Sequence, residues 1–454
     1  MPDPAPPTTR RRCLVVLGTG LALAGCLGDA DDDDEPPIDD GDDVDDTDVV
    51  DDEDDADELD DEDAIDGADD IDDVDDADDP DDGDETADPD DDPPGEDVEP
   101  DVETVVDGLA HPWGLTFLPD PSFLLVTERE GRLQLVDRDD GSMSEVTGLP
   151  DIHVAGQGGL LDVAVGADGN DDPTVFLTYV ATDEDGLSST HLARAMLDAD
   201  EPALVDLEEL YAVEPFKESD GHFGSRVVIG PDDHVYVSTG DRQDKEFSAD
   251  HPSQRKEDGW GSVLRLAPDG TVPDDNPFVG EEDVEPAIFS YGHRNVQGMT
   301  VHPDTDAIWV TDHGEQDGDE INVLEAGGNF GWPLAHYGCT YGDGEPIGDE
   351  PGDRDDVVDP VYYWPCNSGG FPPSGMWFYR GDAFPAWQGD LFVGNLAGQY
   401  LGRFSVDGED VEELDPLLAN RGWRIRAVTE APDTGDLYVL VDDANAPLVR
   451  LSPA

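Results

Sequence analysis

Positive charge is scarce in this sequence of 454 residues. Only 22 Lys and Arg stand against 116 Asp and Glu, which gives a formal net charge of −94. The chain would repel polyanions, so no nucleic-acid partner is expected and anionic membrane surfaces are poor partners. Only three lysines occur, Lys217, Lys245 and Lys256. A net charge of this size destabilises a compact state at low salt, because like charges repel one another. Near 1 M salt the Debye length falls to about 3 Å and the repulsion is screened, so the composition favours a protein of a high-salt environment.

Cysteine is also rare, with four residues in the chain. No CxxC pair and no Cys/His spacing of a zinc site is present, which excludes that class of metal centre. Cys13 and Cys26 lie within the first 26 residues. Cys339 and Cys366 are therefore the two cysteines that could form a disulfide within residues 101–454. In an exported protein a bond between them would contribute about 3 kcal/mol of stability. The sequence leaves open whether the two meet.

Long apolar runs are missing, and the run at residues 14–24 is too short to span a bilayer comfortably. Three arginines precede this run, and the string LAGC, ending at Cys26, follows it. The pattern predicts a twin-arginine lipoprotein signal over residues 1–26, with Cys26 carrying the lipid. An uncleaved anchor is the alternative, and the small residues before Cys26 argue against it. We therefore expect export and a lipid anchor on the outer face of the cytoplasmic membrane.

Composition divides the rest of the chain into two parts. Residues 27–100 hold 44 Asp or Glu among 74 positions and no Lys or Arg. Such a segment cannot bury enough apolar surface to offset its ordering entropy, so it is predicted to be a disordered linker. Residues 101–454 hold 71 acids and 19 bases. This part is predicted to fold.

A loose unit recurs six times in residues 101–454. A small residue precedes an alternating apolar strand, a turn and a second β-rich run, with starts at Gly114, Gly159, Gly224, Gly298 and Gly375, and at Arg424, where the glycine is missing. The period-2 alternation and the near absence of helical periodicity predict an all-β fold. Six copies exceed a β-sandwich, so the sequence predicts a six-bladed β-propeller of four-stranded antiparallel blades. A strand near residues 102–106 is expected to complete the last blade.

Three strings carry a resemblance to a known family. They are GHRNVQG at residues 292–298, DHGEQDGDEIN at 312–322 and GGNFGWP at 327–333. Together they resemble the glucose/sorbosone dehydrogenase family, the soluble pyrroloquinoline quinone (PQQ)-dependent aldose sugar dehydrogenases, from about residue 109 to 451. The resemblance implies a six-bladed propeller with its cofactor at one end of the central channel.

The resemblance also implies three catalytic residues. His222 is the expected general base, which takes the proton of the anomeric hydroxyl while hydride leaves C1, and an unperturbed imidazole titrates in the right range. Asp319 is expected to orient and polarise His222. Gln157 is expected beside the substrate and the base. The alternatives are a structural histidine for His222, one more surface aspartate for Asp319 and a buried, hydrogen-bonded amide in a turn for Gln157.

Cofactor and metal contacts are implied in the same way. Guanidinium groups suit carboxylates and quinone oxygens, and a flexible shell of oxygen ligands suits Ca²⁺. The expected PQQ contacts are Arg294, Asn295, His313, Arg424 and Arg426, and the expected calcium ligands are the main-chain carbonyls of Gly314 and Glu315. Salt bridges to neighbouring acids are the alternative for the Arg424 and Arg426 pair. The chain departs from the family at Val296 and Glu315, where proline is common, at His313, where some members carry glutamine, and at Ala397, where some members carry a cofactor-contacting lysine.

The resulting functional prediction is a PQQ- and Ca²⁺-dependent oxidation of aldose sugars at C1 to the lactone, with electrons passed to a membrane acceptor. Two alternatives stay open. One is a non-catalytic propeller that binds carbohydrate or protein. The other is a calcium-dependent lactonase-type hydrolase, which the strings HRN at residues 293–295 and RIR at residues 424–426 do not support. The sugar, the electron acceptor and the oligomeric state are not determined by the sequence.

Overall fold

The computed structural model describes residues 99–166, 173–342 and 344–454. The predicted signal peptide, Cys26 and all but the last two residues of the predicted linker lie outside these ranges. Within them the chain is all-β, and its helical segments are single 3-10 turns at Pro252–Gln254, Pro351–Asp353 and Pro385–Trp387. Six four-stranded antiparallel sheets follow one another along the chain, which confirms the predicted six-bladed propeller.

The first three blades each use four consecutive strands, which are hydrogen-bonded in chain order. Blade 1 contains β2 (Pro112–Phe117), β3 (Phe123–Glu128), β4 (Arg132–Asp137) and β5 (Met143–Glu145). Blade 2 contains β6 (Leu160–Val165), β7 (Thr174–Thr182), β8 (Ser188–Asp198) and β9 (Ala203–Ala212). Blade 3 contains β10 (Val227–Ile229), β11 (Val235–Ser238), β12 (Ser262–Leu266) and β13 (Ile288–Tyr291).

Blade 4 is interrupted by an inserted hairpin. Its strands are β14 (Val296–Val301), β15 (Ile308–Asp312), β16 (Glu320–Val323) and β19 (Tyr362–Tyr363). The hairpin consists of β17 (Ala335–Cys339) and β18 (Pro346–Gly348). A disulfide joins Cys339 at the end of β17 to Cys366, with a Cα–Cα distance of 5.5 Å. The bond that the sequence left open is therefore formed.

The ring is closed by strands from both ends of the folded part. Blade 5 contains β20 (Pro373–Phe378), β21 (Leu391–Asn395), β22 (Tyr400–Asp407) and β23 (Asp410–Glu413). Blade 6 contains β24 (Ile425–Glu430), β25 (Leu437–Val441), β26 (Ala446–Ser452) and β1 (Asp101–Leu109). The β1 strand pairs antiparallel with β26 from Asp101 opposite Ser452 to Leu109 opposite Ala446. This pairing confirms the predicted closing strand.

The recurring glycine lies where first strands of adjacent blades approach each other. A Cβ at Gly298 would lie 2.3 Å from the main-chain oxygen of Ser374, and one at Gly375 would lie 2.8 Å from Cα of Ala427. Both distances are too short for a side chain without a shift of the backbone. The first strands β2, β6, β10, β14, β20 and β24 contact one another in ring order and form the wall of the channel.

The apolar core lies between the faces of neighbouring blades. Leu125 and Leu133 of blade 1 pack with Leu160 and Leu177 of blade 2, and all four are fully buried. Burial of such a side chain contributes about 1.5–3 kcal/mol. Because this core holds the blades together, the loops at the ends of the channel are free to carry polar groups.

Candidate active site

The predicted site residues gather at one end of the channel. Neighbouring strands of a blade are antiparallel, so first strands begin at the end where second strands finish and third strands start. His222 precedes β10, Arg294 precedes β14 and Arg424 precedes β24. Asp319 directly precedes β16, the third strand of blade 4. The sequence prediction that these polar loops converge is confirmed.

His222 is held against Asp241, a residue that sequence reasoning missed. The imidazole is buried, and its Nδ1 lies 2.6 Å from Oδ1 of Asp241, which comes shortly after β11. His222 has a φ of 48°, in the left-handed region that side chains other than glycine rarely adopt. A Cβ at Gly240 would lie 2.2 Å from the carbonyl oxygen of His222, so only glycine permits this approach.

The two partners differ in charge at neutral pH. Burial lowers the pKa of His222, and the positive charge of Arg294 acts in the same direction, while Asp241 opposes both. Burial raises the pKa of Asp241, but the charge and hydrogen bond of His222, together with Arg294, outweigh burial and bring that pKa to about 2. A neutral imidazole beside an ionised carboxylate is the state that a general base requires.

The predicted pairing of Asp319 with His222 is wrong. Asp319 Oδ1 accepts a hydrogen bond from the main-chain N–H of Gly314 at 3.0 Å, and its Oδ2 accepts one from that of Phe371 at 2.8 Å. Burial raises the pKa of Asp319 to about 6, since these hydrogen bonds only partly offset the loss of water. Asp319 therefore holds the loop that contains Gly314, and any part in catalysis stays a prediction.

Gln157 lies next to His222, where the sequence predicted it. Its side-chain oxygen accepts a hydrogen bond from the main-chain N–H of His222 at 2.9 Å. Its main-chain N–H donates to the carbonyl of Asp220 at 2.7 Å. Gln157 is exposed rather than buried. Its side-chain oxygen thus helps to fix the backbone of His222.

The HRN turn is fixed by a buried carboxylate. Asp312, at the end of β15, accepts hydrogen bonds from the main-chain N–H groups of Arg294 at 3.0 Å and Asn295 at 2.7 Å. The Asn295 side chain accepts a hydrogen bond from the N–H of Gly224 at 3.1 Å and so ties blade 4 to the His222 loop. The Arg294 guanidinium donates from Nη2 to Glu315 at 2.6 Å, and its buried Nε has no partner among the described residues.

His313 and Glu315 complete this side of the site. Burial lowers the pKa of His313 to about 3, helped by the charges of Arg294 and His222, so the ring is neutral. Its buried Nε2 has no partner in the part of the chain that the structure describes. Glu315 bridges Arg294 and Lys245, with Lys245 Nζ at 2.5 Å. The contact between Glu315 and Lys245 is a further one that no sequence pattern indicated.

Arg424 and Arg426 share one acid, Asp442, after β25. Arg426 is buried and donates to Asp442 at 2.7 Å and to Gln297 at 2.8 Å. The strand register shifts at Arg426 and at Gln297, and the two side chains meet although β24 and β14 belong to different blades. Arg424 is half-exposed and lies 3.7 Å from Asp442. The two guanidinium groups thus lie near one carboxylate and form the salt bridges that were the alternative, and their contact with a cofactor stays a prediction.

Arg129 adds a third guanidinium to this cluster. Asp442, Arg424 and Arg426 all influence its pKa, which burial lowers first of all. A single carboxylate thus faces three guanidinium groups in a chain that is otherwise strongly acidic. The surplus of positive charge at this place is suited to an anionic ligand.

The residues present fit PQQ, a planar quinone that carries carboxylates. Buried nitrogens without a partner in the described chain lie at Arg294 Nε, Arg426 Nε and His313 Nε2. Buried donors of this kind normally have an acceptor, so each is available for a ligand oxygen. The three nitrogens and the guanidinium cluster would hold the carboxylates and quinone oxygens of such a molecule.

The main chain at Gly314 and Glu315 also fits a calcium ion. Both residues are buried, and neither carbonyl oxygen accepts a hydrogen bond from the main chain of the described ranges. Oxygen ligands of this type suit Ca²⁺. No cluster of three His, Cys, Asp or Glu side chains suited to a metal occurs in residues 99–166, 173–342 and 344–454, so side chains alone do not form such a centre there.

Comparison with known proteins identifies the family of this chain. The glucose/sorbosone dehydrogenase family profile matches residues 109–450, and the chain belongs to this family. Aldose sugar dehydrogenase YliI of Escherichia coli (strain K12) is 36% identical over 357 residues, which cover 78% of this chain and 93% of that protein.

Solved structures agree with this assignment. The crystal structure of the soluble aldose sugar dehydrogenase from Escherichia coli in the apo-form matches with a TM-score of 0.71 and 35% identity, over 78% of this chain and 100% of that chain. The PQQ-bound form of aldose sugar dehydrogenase from Streptomyces coelicolor matches with a TM-score of 0.61 and 27% identity, over 78% of this chain and 99% of that chain.

Within the described ranges, no helix has the length and apolar character needed to cross a membrane.

Proposed function

We propose that this protein oxidises aldose sugars at C1 to the lactone with PQQ as its redox cofactor. The observation that carries the proposal is the buried pair of His222 and Asp241, 2.6 Å apart, at the channel end that also holds the guanidinium groups. The PQQ-bound relative supports the choice of cofactor. Bound PQQ would supply the acceptor for the hydride that leaves the sugar.

His222 is the proposed general base. Its Nδ1 is occupied by Asp241, so Nε2 is the nitrogen left to take the proton of the anomeric hydroxyl. As the ring becomes positive, the ionised Asp241 stabilises the imidazolium. Gln157 fixes the main chain of His222 through its side-chain oxygen and has its amide nitrogen left for a sugar hydroxyl.

The remaining site residues are proposed to hold the cofactor. Arg294, His313, Arg424 and Arg426 would bind its oxygens, with Arg129 as a further positive charge. Asn295 would act at the rim of the same site while bracing the His222 loop. Ca²⁺ at the carbonyls of Gly314 and Glu315 would neutralise cofactor oxygens and fix their position. Removal of Ca²⁺ should therefore weaken PQQ binding.

We also propose that the protein acts outside the cell. The twin-arginine pattern and Cys26 support export and a lipid anchor, and the acidic stretch at residues 27–100 would act as the linker. An anchored dehydrogenase of this kind would pass its electrons to a membrane acceptor. Labelling of Cys26 with a radioactive lipid precursor tests the anchor, and loss of the label in Cys26→Ala is the expected result.

The central experiment measures sugar-dependent dye reduction in concentrated salt. Protein loaded with PQQ and Ca²⁺ is offered a panel of aldoses, and His222→Ala should lower turnover by a factor on the order of 10²–10⁴. His234→Ala is the matched control, because His234 belongs to the same blade but lies in the turn between β10 and β11, away from the site. The control should keep its turnover.

Each alternative has its own signature in this experiment. If His222→Ala turns over at the wild-type rate, the proposed base is wrong. If PQQ produces no absorbance of a bound quinone, a non-catalytic binding propeller is favoured. Opening of a sugar lactone without any electron acceptor would instead identify a lactonase-type hydrolase.

A further inference from the structure

Trp332 contacts both Asp241, the partner of His222, and Arg294, a proposed cofactor contact. Its indole Nε1 donates a hydrogen bond to Asp241 Oδ2 at 2.9 Å, while Asp241 Oδ1 faces His222. The face of the same ring lies beside the Arg294 guanidinium, with Cζ 5.3 Å from the ring centroid. Trp332 is almost completely buried, so neither contact is shared with bulk water.

The surroundings leave the indole little freedom. Gln254 donates to the main-chain oxygen of Trp332 at 2.7 Å, and Phe247, His251 and His336 pack edge-on against the ring at 5.0–6.0 Å. The side chain is therefore fixed from several sides. A rigid donor of this kind sets the orientation of the carboxylate that it contacts.

We propose that Trp332 is a positioning residue that aligns Asp241 with His222 through its N–H group and Arg294 with the cofactor through its ring face. The inference rests on the proposed function, because it assumes that His222 is the base and that Arg294 meets PQQ. It assigns separate tasks to the edge and the face of one ring. The two tasks predict different losses in different variants.

Trp332→Phe keeps a ring face beside Arg294 and removes the N–H group. A hydrogen bond to a charged group lost from the catalytic pair should lower kcat about tenfold. Asp241 then has one donor fewer, so it attracts the proton on His222 more strongly. The acid limb of the pH profile should accordingly move to higher pH, while the affinity for PQQ stays unchanged.

Other charged and titratable groups face this pair. They are His251, with Nε2 at 3.6 Å from Asp241, and Arg294, Lys245 and His313 from the neighbouring loops, with His336 on the far side of the indole. Trp332→Phe leaves all of them in place. A shift of the acid limb therefore reports the loss of the indole donor rather than a new charge.

Trp332→Leu removes both the donor and the ring face. It should show the same loss of kcat and, in addition, a PQQ affinity about fivefold weaker in an absorbance titration. Trp260→Phe is the matched control, since Trp260 is also buried and donates its indole hydrogen bond at 2.9 Å, but to the main chain of Pro215. The control should keep kcat, pH profile and PQQ affinity.

The results of these variants separate the role of Trp332 from that of the base. If His222→Ala stops turnover while Trp332→Phe matches wild type in kcat and pH profile, the role of Trp332 is overturned and the proposed base stands. If His222→Ala keeps its turnover, the base itself fails. Should Trp332→Phe not fold, the indole N–H resonance of Trp332 is followed by NMR in Asp241→Asn: a moved resonance supports the contact, and an unmoved one overturns it.

Discussion

The loop after β11 and the loop before β16 each bury an aspartate at the same end of the channel, but the pKa values of the two aspartates shift in opposite directions. Asp241, in the first loop, faces His222 and Arg294 and has its pKa lowered to about 2. Asp319, in the second loop, accepts hydrogen bonds from main-chain N–H groups and has its pKa raised to about 6 by burial. Burial alone therefore does not determine the direction in which the pKa of a carboxylate shifts. The charges and hydrogen bonds of its partners decide it.

The largest expected effect separates the two aspartates in catalysis. Asp241→Asn should lower kcat by a factor on the order of 10²–10⁴, because the imidazolium loses its counter-charge. Asp319→Asn should change kcat less than about tenfold, since its contacts are to the main chain of Gly314 and Phe371. Dye-reduction assays of both variants measure the difference. Equal losses of kcat in the two variants would contradict the different roles assigned to the two aspartates.

The second effect concerns the disulfide near the loop that contains Asp319. The disulfide from Cys339 to Cys366 stabilises the insertion that contacts this loop through Gln316. Replacement of both cysteines by serine should lower the free energy of unfolding by about 3 kcal/mol, because the unfolded chain regains the freedom of the closed loop. Denaturant unfolding measures this loss. We expect the acid limb of activity to stay in place, and its displacement would show that the two loops are coupled.

The third effect compares a buried with an exposed guanidinium on the cofactor side. Arg426→Leu should weaken PQQ binding about 10–100-fold, whereas Arg424→Leu should weaken it only a few-fold, because exposed charges are screened by water. Titration of quinone absorbance at fixed Ca²⁺ gives both affinities. A stronger loss in Arg424→Leu would contradict the assignment of Arg426 as the main contact.

The smallest effect is a shift in pH dependence. Because burial lowers the pKa of His222, the neutral base persists to a pH below the usual imidazole value of about 6.5, and activity should fall only below that point. Asp241 raises the pKa of His222, so Asp241→Asn should move the acid limb further down. Asp319→Asn should leave the limb where it is. A profile of kcat/KM against pH in each variant checks all three statements.

Local patterns in the sequence were sufficient to predict the architecture. The alternation of apolar residues, the recurring glycines and the Pro-Asp turns predicted six repeats, and the structure has six blades with Gly298 and Gly375 at close contacts. The GHRNVQG string and the arginines at 424 and 426 drew attention to Arg294 and Arg426, which the structure places beside Glu315 and Asp442, and their role as cofactor contacts stays a prediction. These features are readable because they depend on neighbours in the chain and on period-2 geometry.

Asp241 and Trp332 could not be found in this way. Asp241 is one of 116 acids, and the signals that mark it, a position just after a β-strand and in the same blade as His222, fit many other acids equally well. Trp332 reaches Asp241 across 91 positions of the chain. The contact of Asp241 with His222 depends on how the loops before β10 and after β11 pack within blade 3, and the contact with Trp332 depends on how the segment between β16 and β17 packs against them.

The sequence by itself determined the all-β repeat, the acidic surface and the residue types available for proton transfer and anion binding, because these follow from composition and local periodicity. Only the tertiary structure decided that Asp241 rather than Asp319 faces His222, that one indole contacts both Asp241 and Arg294, and that Cys339 and Cys366 meet. The paired residues lie 19 positions apart for His222 and Asp241, 27 for the two cysteines and 91 for Asp241 and Trp332, so the packing of loops, strands and blades fixes their distances.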